Sequence, residues 1–446
     1  MLVLFSCACR DMLQKCRGEV YRALAPRRRM DRPVLRALIP GLHSATRVAP
    51  AGAAGDNAGA RPGSRVAVLD GWRGISILIV IASHLVSYRY AEFAPASREA
   101  RLWEVLATLG VCIFFVISGF IIVRLALQER ETEGKFHAGA FYLRRCFRIL
   151  PPYFLYLAFV LAASALGLIS QPERQTLPAF VFACNLPAVK CGWFTGHSWS
   201  LAYEEQFYIL LPLLMLWARI RPLLGTLTAL LVGFPLLTRF VLHAGHASFV
   251  LGHAAHYFSF IAIGALAAAH AQILKRWASG RYADWITVTA ALSLGISLWL
   301  EVIAHDPAGA ARYGNLETLF VPVVEPLSIA WIVCGSVYRS GPSVRLLCNP
   351  VLQLTGAISF SLYLWQEAFS GEPAFYPTRS ALLFAPLMFV CALLSYRLIE
   401  RPFIKWGRTL AARPAGVAPA AAASAQAAAD NPAASSSARS DSRLPP

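Results

Sequence analysis

The chain has 446 residues, 57% hydrophobic and only 15% charged, with a mean hydropathy of +0.52. An ordinary soluble domain, in which about 25% of residues are charged, is excluded. The formal charge of +17 would suggest nucleic acid in a soluble protein, but the basic residues lie mostly between apolar runs and in the tails, as membrane topology requires, and no nucleic-acid partner is expected.

In chain order, residues 1–64 are rich in Arg, Ala, Gly and Pro without periodicity, which predicts a disordered arm. The run Leu2–Phe5 is too short for the apolar region of a signal peptide, and Met30 would serve equally well as an initiator. Ten hydrophobic segments follow, at about 74–90, 102–127, 149–169, 199–218, 223–243, 249–274, 283–304, 318–338, 351–369 and 379–399. Segments of that length can span a bilayer. The predicted fold is all-α, a polytopic transmembrane helical bundle of about ten spanning helices over residues 65–408, with a disordered Ala/Ser-rich tail over 409–446. Trp72, Trp103, Tyr153, Trp193, Trp217, Trp277 and Trp285 fall near segment ends and read as interface anchors. Lys and Arg concentrate in 124–148, in 275–282 and after 399. Both termini are therefore expected in the cytoplasm, and the loops 91–101, 170–198, 244–248, 305–317 and 370–378 outside. No period of about 20–50 residues repeats. The ten cysteines include no CxxC pair, so no zinc site is expected. Cys184 and Cys191 flank a short polar loop on the expected outer side, where oxidation is permitted, and a disulfide is expected between them.

An ionisable residue inside a span is costly, hence a functional candidate. His84 is the clearest. It follows the run 77–83 and lies eleven positions after Arg73, about 16 Å deeper along a helix, where an imidazole can act as a general base. The plainer reading is a packing histidine bonded to a neighbouring backbone. Arg145 and Arg148 are three apart on one face of a helix start marked by Pro151 and Pro152. Their guanidinium forks suit phosphate oxygens, although basic residues before a span are expected on topology alone. Glu204 and Glu205 open an apolar helix after His197-Ser198-Trp199-Ser200-Leu201. Adjacent positions are about 100° apart, so the two cannot share a face. One could orient a histidine or an acceptor hydroxyl while the other serves structure, and acidic residues early in a helix also suit its dipole. Two H-x-x-H pairs, His243/His246 and His253/His256, have no local carboxylate or cysteine to complete a metal site, and no metal is expected. Glu301, Glu325 beside Pro326, and Glu367 lie in or beside late segments. No GxSxG, Walker or GxGxxG motif is placed for chemistry.

Together these motifs resemble the acyltransferase-3 family of integral membrane acyltransferases. Leu69-Asp70-Gly71-Trp72-Arg73-Gly74-Ile75 is similar to that family's first-helix signature, and Arg73 with His84 meets its Arg-x10-His spacing. Phe114-Phe115-Val116-Ile117-Ser118-Gly119-Phe120 resembles the second-helix signature, and Arg145 with Arg148 the Arg-x-x-Arg element. Trp199-Ser200-Leu201 with Glu204-Glu205-Gln206-Phe207-Tyr208 looks like the fourth-helix motif. Ile358-Ser359-Phe360-Ser361-Leu362-Tyr363-Leu364-Trp365 and Ile399-Glu400-Arg401-Pro402-Phe403 resemble the last two segments. The likeness covers about residues 66–405. It departs at Gln366, where many relatives carry His.

The resemblance implies a membrane-bound O-acyltransferase in stand-alone form, similar to O-antigen and exopolysaccharide acetylases, set among the lipids of a bacterial inner membrane. It would move an acyl group, in the common case acetyl, from cytoplasmic acyl-CoA to a hydroxyl of a cell-surface or exported carbohydrate or a lipid-linked sugar. Arg73, Arg145 and Arg148 would hold the CoA phosphates, and Ser118 and Gly119 would let the pantetheine arm pass. His84 would deprotonate the acceptor hydroxyl, with Glu204 or Glu205 orienting the imidazole. Direct transfer and a covalent acyl-enzyme both fit. Intramembrane His and Glu on ten spans also permit a proton-coupled secondary transporter of a small metabolite or sugar. Against it stand the lack of repeat halves and the arginine cluster.

Overall fold

Long apolar runs without water to serve their peptide groups must close their hydrogen bonds internally, and helices do so within one segment. The computed structural model of the chain describes residues 66–93, 97–216, 220–237, 246–371 and 381–412. The arm read over 1–64 and the tail beyond 412 lie outside the described residues, as does Trp217. Among the described residues every regular element is helical. Helices α1 (Ala67–Phe93), α2 (Arg98–Glu133) and α3 (Ala138–Ala165) precede two short ones, α4 (Glu173–Phe180) and α5 (Trp193–Gly196). Next come α6 (Ser198–Met215), α7 (Ile220–Leu236), α8 (His246–Ala269), α9 (Ala271–Ala278), α10 (Ala283–Ile303) and α11 (Pro307–Ser336). Short α12 (Pro342–Leu347), α13 (Pro350–Ala357) and α14 (Ser359–Gln366) lead to α15 (Ala381–Ser395), which runs through a π-helical turn (Tyr396–Glu400) into α16 (Arg401–Ala411).

Six helices among the described residues, α1, α2, α3, α8, α10 and α11, are long and apolar enough to cross a membrane, and α7 is apolar but shorter. The chain is an all-α helical membrane protein. Each of the ten apolar segments is helical where it is described, with shifted boundaries. Helix α3 begins at Ala138, so Pro151 and Pro152 sit inside it rather than at its start. They leave the carbonyls of Phe147 and Arg148 without a helical amide donor. The segment at 351–369 is two helices, α13 and α14, broken at Ile358. Helix α16 runs to Ala411, three residues into the stretch read as tail.

Helix α2 is the packing hub, running along α1 and α8 and touching α10 and α11. Small residues make this possible, because membrane helices gain contact chiefly by close backbone approach. A Cβ on Gly119 would lie 2.0 Å from the Ile261 carbonyl oxygen of α8, and one on Gly264 would lie 2.2 Å from that of Val116. The two glycines thus seat α2 and α8 reciprocally. The α13–α1 contact works the same way, with a Gly356 Cβ position 1.8 Å from the Asp70 carbonyl.

The loop 170–198 is more than a solvated connection. It folds back against the bundle, burying Gln171, Thr176, Phe194, Thr195 and His197. Its irregular backbone is served by side chains. Gln171 Oε1 accepts from the Phe194 N–H at 2.9 Å, and its Nε2 donates to the Thr176 and Thr195 hydroxyls at 2.8 and 3.1 Å. Tyr153 and Tyr156 of α3 reach into it, donating to the carbonyls of Ala179 and Phe194 at 2.7 Å each. Tyr153, read from its position as an interface anchor, is fully buried. Phe182 stacks on its ring at 4.9 Å, which helps hold Phe182 at φ 54°, a left-handed value unusual for an aromatic residue. Cys184 and Cys191 are disulfide-bonded with Cα atoms 5.7 Å apart, as expected from their loop.

Gly264→Ala should destabilise the folded protein by about 1–3 kcal/mol, the usual cost of overpacking. Gly295→Ala on α10, where nothing lies within 4 Å of the Cβ position, should be neutral or slightly stabilising. Thermal unfolding in detergent measures both.

Candidate active site

The site forms where α1, α2, α3, α6 and α14 meet around a cleft of about 720 Å³. Arg73 of α1 and Arg145 and Arg148 of α3 line it. Arg145 and Arg148 share a face because three helical positions nearly complete a turn. Arg144, on a different face, is drawn away to Glu129 at 2.7 Å. The Arg145 guanidinium carbon stands 5.7 Å from the Phe141 ring centroid and 5.8 Å from that of Tyr208, a cation–π seat that positions it without a carboxylate. Its Nε is buried with no hydrogen-bond partner. Arg73 lies 3.8 Å from Asp70 on its own helix.

Ser118 and Glu204 also line the cleft, bonded to each other. The Ser118 hydroxyl donates to Glu204 Oε1 at 2.7 Å, and the Tyr208 hydroxyl donates to Oε2 at 2.9 Å. Both oxygens of Glu204 are thereby engaged by hydroxyls. Glu205 is rotated about 100° away. It is absent from the cleft lining and lies within electrostatic reach of Arg145. Gly119 faces α8 rather than the cleft, as its contact with Ile261 requires.

The cleft wall on α14 includes Tyr363, whose hydroxyl is 2.6 Å from that of Ser200. One turn further along α14 is Gln366, and its Oε1 lies 2.6 Å from His84 Nδ1. His84 itself is not part of the cleft lining. A residue bonded to its ring is Gln366, whereas the sequence pointed to Glu204 or Glu205. Those carboxylates start from α6 on the arginine side, where Glu204 is bonded at both oxygens and Glu205 lies near Arg145. Trp193 of the folded-back loop meets the His84 ring edge-on at 5.8 Å.

The motif residues conceal a second histidine. His197 Nδ1 is bonded to Glu367 Oε2, which also accepts from the His197 backbone N–H at 3.1 Å. The Tyr363 hydroxyl donates to the His197 carbonyl at 3.1 Å, and the rings of Tyr156 and Tyr363 flank the imidazole. His197 and Glu367 are both buried, and His197 Nε2 has no hydrogen-bond partner. The sequence signal for this pair was Glu367 itself, a carboxylate at the end of an apolar helix, but nothing in it named the partner 170 residues away.

Other candidates lie apart from the cleft. Glu325 is buried on α11 with Oε1 unbonded, and Glu301 lies on α10 within its electrostatic reach. His253 and His256 contact the Tyr257 ring, while His243 and the side chain of His246 lie outside the described residues. Among the described residues, one group has metal-type ligand atoms close together: Glu129, Glu133 and His137. It lies at the α2–α3 turn, where Glu129 is already bonded to the His137 amide and to Arg144.

A helical membrane bundle with a cationic cleft at one end of its site and a carboxamide-held histidine beyond it is the arrangement these residues build. The chain belongs to the acyltransferase-3 family, whose acyltransferase domain matches residues 66–399. It is similar to a Staphylococcus aureus (strain COL) protein provisionally named an O-acetyltransferase, with 28% identity over 378 residues, 78% of this chain and 59% of that protein. It is also similar to the O-acetyltransferase OatA of Staphylococcus aureus (strain NCTC 8325), with 26% identity over 380 residues, 76% of this chain and 57% of OatA. The chain thus spans less than three-fifths of the length of these relatives. No solved structure matches it.

Replacing Glu367 with Ala should cost about 3–5 kcal/mol, because it removes one partner of a buried pair. Glu367→Gln, whose amide oxygen can still accept from Nδ1–H, should recover part of the loss. Thermal midpoints in detergent check this, and equal midpoints for Glu367→Ala and wild type would contradict it.

Proposed function

We propose that the chain is a membrane O-acyltransferase that moves an acyl group, in the first instance acetyl, from cytoplasmic acyl-CoA to a hydroxyl of a cell-surface or exported carbohydrate. Residues 65–408 form the transferase unit, with ten spans and both termini in the cytoplasm of a bacterial cell, and the protein sits in the inner membrane. The observation that carries this reading is the convergence of Arg73, Arg145 and Arg148 on one cleft whose α14 wall also holds His84 through Gln366. Membership of the family and the printed names of the relatives agree with it.

In this reading the guanidinium groups take the phosphates of CoA, for which fixed forks are better suited than point charges. Arg145 is the best prepared, since two aromatic rings hold it and no carboxylate salt bridge to it is found among the described residues. The pantetheine arm runs past Ser118 toward α14. His84 accepts the proton of the acceptor hydroxyl as its oxygen attacks the thioester carbonyl carbon. The carbon–sulfur bond breaks, and the same proton passes from His84 to the departing thiolate. Glu204, bonded at both oxygens, fixes α2 against α6. Glu205 serves structure on the α3 side.

His84→Ala should lower acetyl transfer from labelled acetyl-CoA by about 10²–10⁴-fold, the range for a lost general base, while the protein still inserts and folds. A fully active His84→Ala protein would sink the reading. Purified wild type in detergent that consumes no acetyl-CoA with any glycan acceptor would instead favour a transporter. Lysine at both Arg145 and Arg148 should raise the apparent KM for acetyl-CoA by about tenfold or more, through lost charge-assisted hydrogen bonds, and leave kcat nearly unchanged.

A further inference from the structure

One hydrogen bond fixes more about His84 than its position. Gln366 is fully buried, and its Oε1 lies 2.6 Å from His84 Nδ1. A carboxamide oxygen can only accept. With the carboxamide oxygen turned to the ring, Nδ1 carries the proton and Nε2 keeps its lone pair, while the Gln366 amide nitrogen is buried with no hydrogen-bond partner. The amide is itself held, because Ser370 on the next turn donates to the Gln366 carbonyl at 2.8 Å and approaches Oε1 at 3.4 Å. Trp193 closes the ring's edge, and its Nε1 is tied to the Glu367 carbonyl at 3.1 Å.

We infer that Gln366 is the positioning residue of the site: it sets the Nδ1-protonated tautomer of His84 and presents Nε2 as the base. This rests on the acyl-transfer reading for its consequence, though not for the tautomer itself. The choice of an amide has a physical reason. Glu367, the next residue, already places a carboxylate on this turn, where it holds His197. A second carboxylate at 366 would set two buried negative charges side by side. It would also stabilise the imidazolium, which delays return of the proton to the leaving thiolate. An amide orients the ring as firmly and adds no charge. Glu367 and His197, bonded to each other, are the ionisable pair held at this same turn of α14.

The experiment uses the full chain in nanodiscs and two readouts. The first is the pH dependence of kcat and KM for acetyl-CoA with a fixed glycan acceptor. Gln366→Leu should lower kcat by about 100-fold, as misplacement of a reacting group does, with KM for acetyl-CoA within about twofold of wild type. Gln366→Glu restores the acceptor atom. It should recover most of kcat at high pH, with the acid limb of the profile moved up by about one unit or more. The second readout is the imidazole ¹⁵N spectrum of histidine-labelled protein, with the His84 signals identified by their loss in His84→Ala. Wild type should show Nδ1 protonated and Nε2 unprotonated, and Gln366→Leu a mixture of tautomers. Wild-type kcat in Gln366→Leu, a Gln366→Glu profile that superimposes on wild type, or an Nε2-protonated His84 in wild type would each overturn the inference. Should wild type transfer no acyl group at all, the functional reading fails, and the spectrum still decides the tautomer.

Discussion

Hydrocarbon offers no hydrogen bonds, so polar side chains carried into this bundle gain from partners within it, several of them on another helix. That single constraint organises the site. Ser118 and Tyr208 close on Glu204, Gln366 on His84, Glu367 on His197, and Ser361 on Glu400 at 2.8 Å. Each of these bonds joins residues that the apolar background would otherwise leave unconstrained. Helices of Leu and Ala can slide and rotate at small cost, because one greasy face resembles the next. A buried carboxylate with one matching hydroxyl cannot. The polar pairs thus set the register of α1, α2, α6 and α14 around the cleft, and the glycine contacts of α2 with α8 allow the backbones to come close enough for the pairs to form.

The cations follow the opposite rule. Arg144 is neutralised by Glu129 and serves the α2–α3 turn. Its neighbour Arg145 stands over two aromatic rings, with no carboxylate salt bridge among the described contacts, and Arg148 lines the same cleft. A positive charge supported by quadrupoles rather than by a full negative charge retains its capacity to bind an anion. The difference between adjacent arginines of one helix is therefore a difference in available charge, and it comes only from the face each occupies.

Much of this was legible in the sequence, for definite reasons. The apolar runs dictate helices. The spacing of Arg145 and Arg148 dictates a shared face, and the 100° between Glu204 and Glu205 dictates that only one of them meets the cleft. The structure puts Glu204 there. What was hidden depended on contacts between distant stretches of chain. His84 and Gln366 are 282 residues apart, and no local pattern announces their bond. The loop 170–198, which contains Gln, Thr, Asn and Lys, reads as an outer connection from the distribution of Lys and Arg between the loops. Its polar residues include the ones that satisfy its own folded-back peptide groups. Gly119 reads as room for a ligand, yet the same lack of a Cβ serves a neighbouring helix. Pro151 and Pro152 read as a helix start, but within a bundle the lost amide donors can be tolerated where surrounding helices fix the segment.

The arrangement on α14 joins these strands of the argument. Gln366 and Glu367 are consecutive, so their side chains leave the helix in directions about 100° apart. One therefore reaches α1 and the other reaches the folded-back loop, and a single turn of helix holds two histidines from separate parts of the chain. Tyr363, one turn earlier, lines the cleft and also bonds the His197 carbonyl. Any movement of α14 must then move the cleft wall and both imidazoles together. Had the two histidines been held by different helices, small independent motions of each would have separated them from the cleft. With one short helix holding both, the distance from the arginine end to His84 depends on how α14 seats against α1. That seating is governed in turn by α13, the helix just before it, where Gly356 rests on the Asp70 carbonyl, three residues from Arg73. The cationic end of the cleft and the histidine beyond it are thus spaced by one continuous set of contacts along α1, which carries both Arg73 and His84.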